Sequence, residues 1–337
     1  MVCIAYLGPQ GTFTEAALIA LIADGRIPGP MPMRAERDEP DAPGLVAPGL
    51  VPRPLAEPVG PDAPGLVAVD STPAALEAVR AGTADYACVP IENSIEGSVL
   101  PTLDALEHGS PLQIFAELTL DVAFSIVVPA GAIQDRPIRT VAAFPVAAAQ
   151  VRRWLAENLP DAQVVPAISN AGAALDVAAG RADAGVSTAL AAERYGLATL
   201  ADGVVDEPNA RTRFVLVGAP APPPPRTGAD RTSVVLLLAN EPGALVDALS
   251  EFGIRGIDLT RIESRPTRRE LGTYLFFVDC GGHIDDPAVA EALKALRRRC
   301  AGVRYLGSWP TGALGPAVPA PPDEADEWLT RLRGGRP

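Results

Sequence analysis

Three short polar segments of the 337-residue chain carry groups able to hold an anion or move a proton. Gly8-Pro9-Gln10-Gly11-Thr12-Phe13 lies between a strand pattern and a capped helix, where free N–H groups and the positive end of the helix dipole suit an anion. No Gly-Lys-Ser/Thr follows, so this is not a phosphate-binding loop, and the spacing also suits a tight structural turn. Pro90-Ile91-Glu92-Asn93-Ser94 closes a strand where α/β folds place ligands. Asn93 and Ser94 offer neutral donors, Glu92 repels an anion unless turned away, and a plain Asn-Ser turn fits equally well. Asn170 and Ser187 follow the corresponding strands of a second α/β unit. In Asn209-Ala210-Arg211-Thr212-Arg213-Phe214, an Arg beside a hydroxyl can hold a carboxylate while the hydroxyl protonates its substituent. A threonine between two arginines on an edge strand is equally a solvated face.

Two further segments lie nearer the C-terminus. Asn240-Glu241-Pro242-Gly243-Ala244-Leu245 opens a helix with a residue lacking Cβ, which lets a ligand approach N–H groups. Glu263-Ser264-Arg265-Pro266 ends a strand with a charge mixture suited to a surface network. Cys3, Cys88, Cys280 and Cys300 form no C-x-x-C pair and read as small buried hydrophobes. His108 and His283 lie beside Gly in what read as surface loops, so a metal cluster or a Ser-His-Asp relay is not expected, and no cofactor is required.

The net charge of −13, with no Lys/Arg block, argues against nucleic acid or an anionic membrane as partner. The N-terminus lacks a basic stretch and a long apolar run, so a cytoplasmic protein is expected.

Prolines divide the chain into the units that must position these groups. Residues 28–68 hold 11 prolines and a duplicated Asp-Ala-Pro-Gly-Leu-Val-Ala at 41–47 and 62–68, reading as an extended insertion outside the cleft. Residues 208–225 hold 6, reading as a semi-rigid linker centred on 219–230, and 310–322 hold 5, marking 311–337 as a flexible tail with a short helix near Trp328, Leu329 and Leu332. Between them strands and helices alternate, as parallel sheets covered by helices require. Strands are expected at 2–7, 67–70, 86–91, 113–128, 141–144, 164–168, 185–187 and 213–217. Helices are expected at 12–23, from Thr72 to 82, at 145–159 and 173–179, and up to 195. Ala74-Ala75-Leu76-Glu77 with Asp85 is echoed by Ala173-Ala174-Leu175-Asp176 with Asp183, which fits two similar lobes around a ligand cleft. The lobes are expected at roughly 1–118 plus 196–218, and at 119–195. Residues 231–310 follow a β-α-β-β-α-β order, ferredoxin-like, with Asn240 and Asp286 as helix N-caps.

Together these motifs resemble the prephenate dehydratase family over about residues 2–310. The signatures stand here as Tyr6 to Phe13, Asp85 to Ser94 and Thr212-Arg213-Phe214, and residues 231–310 resemble an ACT regulatory domain through Gly243-Ala244-Leu245 and Glu263 to Pro266. The resemblance implies a two-lobed, periplasmic-binding-protein-like catalytic domain at 1–218, and decarboxylating dehydration of prephenate to phenylpyruvate without cofactor or metal. It assigns the proton donor to Thr212, with Arg213 and Phe214 in the catalytic motif, and substrate contacts to Gly11, Thr12, Asn93, Ser94, Asn170 and Ser187. It further implies self-association as dimer or tetramer and feedback control by L-phenylalanine, held by Asn240, Gly243, Ala244, Leu245, Glu263, Ser264, Arg265 and Pro266.

Phe124 and Phe144 stand where many relatives carry His, so no histidine role is expected and cleft packing should differ. Arogenate as substrate, and a non-catalytic two-lobed amino-acid sensor, are the alternatives, and the intact Thr212-Arg213-Phe214 speaks against the sensor. No helical mutase extension is expected before Val2.

Overall fold

The computed structural model of the chain describes residues 2–29, 64–131, 137–207, 209–268, 272–311 and 331. The duplicated proline segment and the C-terminal helix expected near Trp328 therefore lie largely or wholly outside the described residues.

The first lobe opens with β1 (Cys3–Leu7), α1 (Phe13–Ala23), β2 (Gly65–Val69), α2 (Thr72–Ala81) and β3 (Tyr86–Asn93). Thr12 caps α1 by accepting from Glu15 N, and Ser71 rather than Thr72 caps α2 by accepting from Ala74 N. The short β4 (Gly97–Ser98), α3 (Leu100–Glu107) and β5 (Gln113–Asp121) follow. The sheet runs β2-β1-β3-β11-β5, with β4 beside β3, and closes only when β11 (Arg211–Gly218) returns antiparallel between β3 and β5. The strand expected over 113–128 is thus two strands, with the crossing between lobes after Asp121.

The second lobe comprises β6 (Phe124–Pro129), β7 (Thr140–Ala143), α4 (Pro145–Gln150), α5 (Arg152–Asn158), β8 (Gln163–Pro166), α6 (Asn170–Ala178), β9 (Ala184–Ser187), α7 (Ala189–Arg194) and β10 (Leu197–Val204). Its sheet order is β10-β6-β9-β7-β8. The chain therefore leaves this lobe after β10, a correction to the boundary expected at 196, because β10 pairs antiparallel with β6. The single helix expected at 145–159 breaks at Val151, where Asp206 Oδ2 accepts from Arg153 N and so offers the second helix a separate start.

The sequence echo has a structural counterpart. Asp85 Oδ2 accepts from Cys3 N at 2.7 Å, and Asp183 Oδ2 accepts from Arg139 N and Thr140 N at 2.9 Å. In each lobe the carboxylate before one strand therefore pins the start of its neighbour, β1 in the first and β7 in the second.

The third unit is β12 (Asp230–Leu237), α8 (Ala244–Gly253), β13 (Leu259–Pro266), β14 (Tyr274–Gly281), α9 (Pro287–Arg299) and β15 (Gly302–Pro310), with sheet order β13-β14-β12-β15. One face buries Val234, Leu236, Val278 and Cys280 against Phe252 and Leu296 of the two helices. The other face is not solvated: Val235, Phe277, Leu306 and Trp309 share one core with Val215, Val217 and Ile114 of the first lobe. A Cβ on Gly307 would collide with the Ile114 backbone, so only glycine permits this approach. The third unit is thus fused to the first lobe by a common core, closer than a linker alone would hold it. His283, expected in a surface loop, is fully buried, with Nε2 3.0 Å from Pro224 O, and so ties the proline segment to this unit.

Asn240 is not a helix N-cap. Gly243 takes that position with φ +88°, and α8 begins at Ala244 with no side-chain cap.

Candidate active site

Thr212 sits on β11 directly opposite Asn93 at the end of β3. The Asn93 Nδ2 amide donates to Thr212 Oγ1 at 2.8 Å, while Asn93 Oδ1 accepts from Ile95 N and Glu96 N at 2.8 and 2.9 Å. The turn after β3 thereby locks the Asn93 side chain with its amide aimed at the hydroxyl. A hydroxyl that accepts in this way keeps its own proton to give, and the amide dipole stabilises the oxygen once the proton has gone. Ser94 braces the same corner, donating from Oγ to Asn209 O at 3.2 Å and accepting from Arg211 N at 2.8 Å. Thr212, Asn93 and Ser94 thus form one group, with Thr212 only 9% exposed.

Asn170 and Ser187 form a second group, on the other lobe. Ser187 Oγ donates to Asn170 O at 2.7 Å, and Asn170, at the first turn of α6, has a buried Oδ1 with no hydrogen-bond partner.

The Gly11 turn joins the lobes. Thr188 Oγ1 donates to Gly11 O at 2.6 Å, and Tyr195 Oη donates to Gln10 O at 2.8 Å. Glu15, fully buried, accepts from Gly11 N at 2.5 Å and pairs with Arg194 of the second lobe. The Thr12 hydroxyl is spent locally, donating to Leu7 O and accepting from Glu15 N. Phe13 meets Phe124 edge-on across the lobes, ring centroids 5.6 Å apart. Phe144 precedes α4 and packs at the edge of the second lobe's core.

Arg213 departs from the expectation that it faces a carboxylate ligand. Alternation along β11 turns it away from Thr212, and its guanidinium meets Asp279 Oδ2 at 2.7 Å, Glu92 Oε2 at 3.0 Å and Glu117 Oε2 at 3.3 Å. Burial alone would lower its proton affinity, but Asp279, Glu117 and Glu92 outweigh it and raise it. The pairing also answers why Glu92 sits in an anion-facing motif, since its charge is drawn to Arg213. Phe214 lies in the core beneath α1 with Tyr6 and Leu18.

In the third unit Glu263 and Arg265 face the first lobe: Glu263 accepts from Ser98 Oγ at 3.1 Å, and Arg265 pairs with Asp104 at 2.8 Å. Ser264 and Pro266 alternate to the exposed face. A cavity of about 410 Å³ lies between the units, lined by Glu107, Val235, Leu237 and Arg304 among others. A second of about 600 Å³ is lined by Tyr86, Phe115 and the proline segment. Neither is lined by Thr212.

Sequence reasoning missed the interlobe pair Glu15–Arg194 and the residues Glu117 and Asp279. Glu15 was visible only as part of a helix cap, and the other two had no local signal.

The prephenate dehydratase family model matches residues 60–222, and the ACT domain model matches residues 232–298. A prephenate dehydratase of Mycobacterium sp. (strain JLS) is 68% identical over 334 residues, spanning 99% of this chain and 97% of the relative. The chain belongs to the prephenate dehydratase family. That of Mycolicibacterium smegmatis is also 68% identical, over 98% of both chains. The crystal structure of the Arthrobacter aurescens prephenate dehydratase in complex with L-Phe is 38% identical, with TM-score 0.76, covering 99% of this chain and all of that one. The protein is accordingly a carbon–oxygen lyase taking prephenate to phenylpyruvate, carbon dioxide and water, with an ACT domain behind its catalytic lobes.

Proposed function

We propose that prephenate binds between the two lobes and that Thr212 protonates its departing ring hydroxyl. In that step the bond from the ring to its carboxylate breaks, the electron pair moves through the ring, and the C–O bond to the hydroxyl cleaves as the proton arrives. Carbon dioxide and water leave, the ring becomes aromatic, and the Thr212 alkoxide regains a proton from solvent, one proton being consumed per turnover. The supporting observation is the Asn93 amide donating to Thr212 Oγ1 at 2.8 Å, which orients the hydroxyl and shelters the charge it acquires. A hydroxyl is a weak acid in water, so the step depends on placement in a closed cleft and on the driving force of aromatisation. With Arg213 committed to carboxylates, and with the Gly11 N–H and the Ser94 and Ser187 hydroxyls already donating within the protein, recognition of the substrate's own carboxylates falls to neutral groups, the Asn170 side chain and the remaining N–H groups of these turns.

Control by L-phenylalanine at the ACT domain belongs to the same reading, supported by the Arthrobacter relative bound to L-Phe. The free N–H groups at the start of α8, with Asn240, Gly243, Ala244 and Leu245, would take the amino acid's polar end. Val246, Ile254 and Ile262 are 67%, 74% and 47% exposed around α8 and the edge strand β13, an apolar surface suited to a second copy of the chain. No helix among the described residues is long and apolar enough to cross a membrane.

Initial rates of phenylpyruvate formation from prephenate, beside the equivalent assay with arogenate, test the substrate. Turnover of prephenate with little from arogenate is expected. Tight binding of an aromatic amino acid with no turnover of either would return the chain to the sensor class.

A further inference from the structure

Arg213 is the neighbour of the proposed acid, yet its charge is directed at three different strands. Glu92 is its cross-strand partner on β3, Glu117 lies on β5, and Asp279 lies on β14 of the ACT sheet. Asp279 is 1% exposed, and it also accepts from Ser233 Oγ at 2.7 Å and Arg261 Nε at 3.0 Å. Glu117 Oε2 accepts in addition from Arg231 Nη1 and Trp309 Nε1, both at 3.0 Å and both from the ACT sheet. One buried ion cluster thus joins the catalytic strand to the regulatory sheet.

On its β3 side the ladder is interrupted beside the cluster, while the pairing of β11 with β5 runs unbroken from Arg211 to Leu216. Thr212 and Arg213 pair with Asn93 and Glu92, but Phe214 pairs with Pro90, so Ile91 is an extra residue and β3 bulges beside the acid. A bulge interrupts the ladder and adds local twist, so on the β3 side side-chain contacts help set how Glu92 and Asn93 sit against β11. The Arg213 clamp across Glu92 and Asp279 supplies those contacts one residue from Thr212.

We propose that Asp279, a residue of the ACT sheet, is a positioning residue for the dehydratase reaction, holding Thr212 against Asn93 through Arg213. The role rests on Thr212 being the acid. Removing the Asp279 charge lets Arg213 swing toward Glu92 and Glu117, and the bulged corner turns with it. Displacement of a reacting group by about 1 Å costs on the order of 100-fold, so a loss of about 10- to 100-fold in kcat is expected.

Asp279→Asn keeps the shape and removes the charge, and Arg213→Lys keeps the charge and removes the fork that spans the partners. Both are compared with wild type and Thr212→Ala for kcat, KM and thermal unfolding on the full chain. In Asp279→Asn, kcat should fall by about 10- to 100-fold while KM changes less than about threefold. Added to Thr212→Ala, the same substitution should cost almost nothing further, because the group it positions is gone. A folded Asp279→Asn with kcat within twofold of wild type overturns the role, and so does a loss that multiplies in the double variant, as general damage to the fold would. If Asp279→Asn does not fold, Arg213→Lys decides by the same two outcomes. Full activity of Thr212→Ala would instead overturn the assignment of the acid, separating that failure from failure of the positioning role.

Discussion

Replacing Gly11 by alanine tests whether contact between the lobes matters for turnover. Gly11 has φ +87°, and a Cβ there would stand 2.8 Å from both Cα and Cβ of Ala191 on α7. Two costs follow, and they act on different equilibria. The left-handed backbone costs an alanine roughly 1–2 kcal/mol wherever the turn is folded. The overlap with α7 costs roughly 1–3 kcal/mol, but only while the two lobes are together. At one factor of ten per 1.4 kcal/mol, that second cost disfavours the closed cleft by about 5- to 150-fold. Steady-state phenylpyruvate formation should show kcat/KM reduced by about that factor, while urea unfolding shows only the smaller backbone loss. Adding Ala191→Gly removes one of the two colliding atoms and should restore part of the activity. A folded Gly11→Ala enzyme with kcat/KM within twofold of wild type refutes the closure argument.

Burial pushes the Cys88 and Cys280 thiols up to about 12, so neither should react with a thiol reagent at pH 8 until the protein unfolds, whereas rapid labelling of either in the native state would contradict the packing. Burial alone would raise the Asp279 carboxyl, but Arg261 and Arg213 outweigh it and hold it below the usual carboxylate range. Its contribution is present above the unfolded value of about 4 and is lost as pH falls through the native one, so stability should drop from pH 5 to pH 2 and Asp279→Asn should flatten that drop. An unchanged pH–stability curve in the variant would count against the cluster. Asp183→Ala removes an acceptor for two backbone N–H groups and the Thr140 hydroxyl, and should lower unfolding free energy by about 2 kcal/mol in urea titration, with a change below about 0.5 kcal/mol arguing that β7 is pinned otherwise.

Much of the fold was legible because its punctuation is local. Thr12 caps α1, Pro73, Pro145 and Pro287 stand in the first turns of their helices, and Gly82 ends α2, although the cap of α2 is Ser71 and not the Thr72 that the sequence suggests. The echo of Asp85 in Asp183 marks the same strand-start bond in each lobe. Asn93 and Thr212 could be nominated as polar groups at strand ends, although only the return of β11 between β3 and β5 makes them neighbours. The failures share a cause. Arg213 was read toward the cleft because a strand written alone does not reveal what covers its other face, and that cover is a sheet formed some sixty residues later. His283 was read toward solvent for the same reason. Glu15 passed for a helix cap because its partner Arg194 lies in the other lobe. Boundaries at 128, 159 and 196 were misjudged where one continuous apolar pattern spans a bend, a capped restart or a change of sheet.

Phenylpyruvate production from prephenate by wild type and by Thr212→Ala is the most direct measurement of the chemistry. With the proton donor removed and the binding groups intact, kcat should fall by about 100-fold or more while KM changes little, since general acid catalysis contributes on the order of 10²–10⁴. A variant that keeps the wild-type kcat would take the acid away from Thr212.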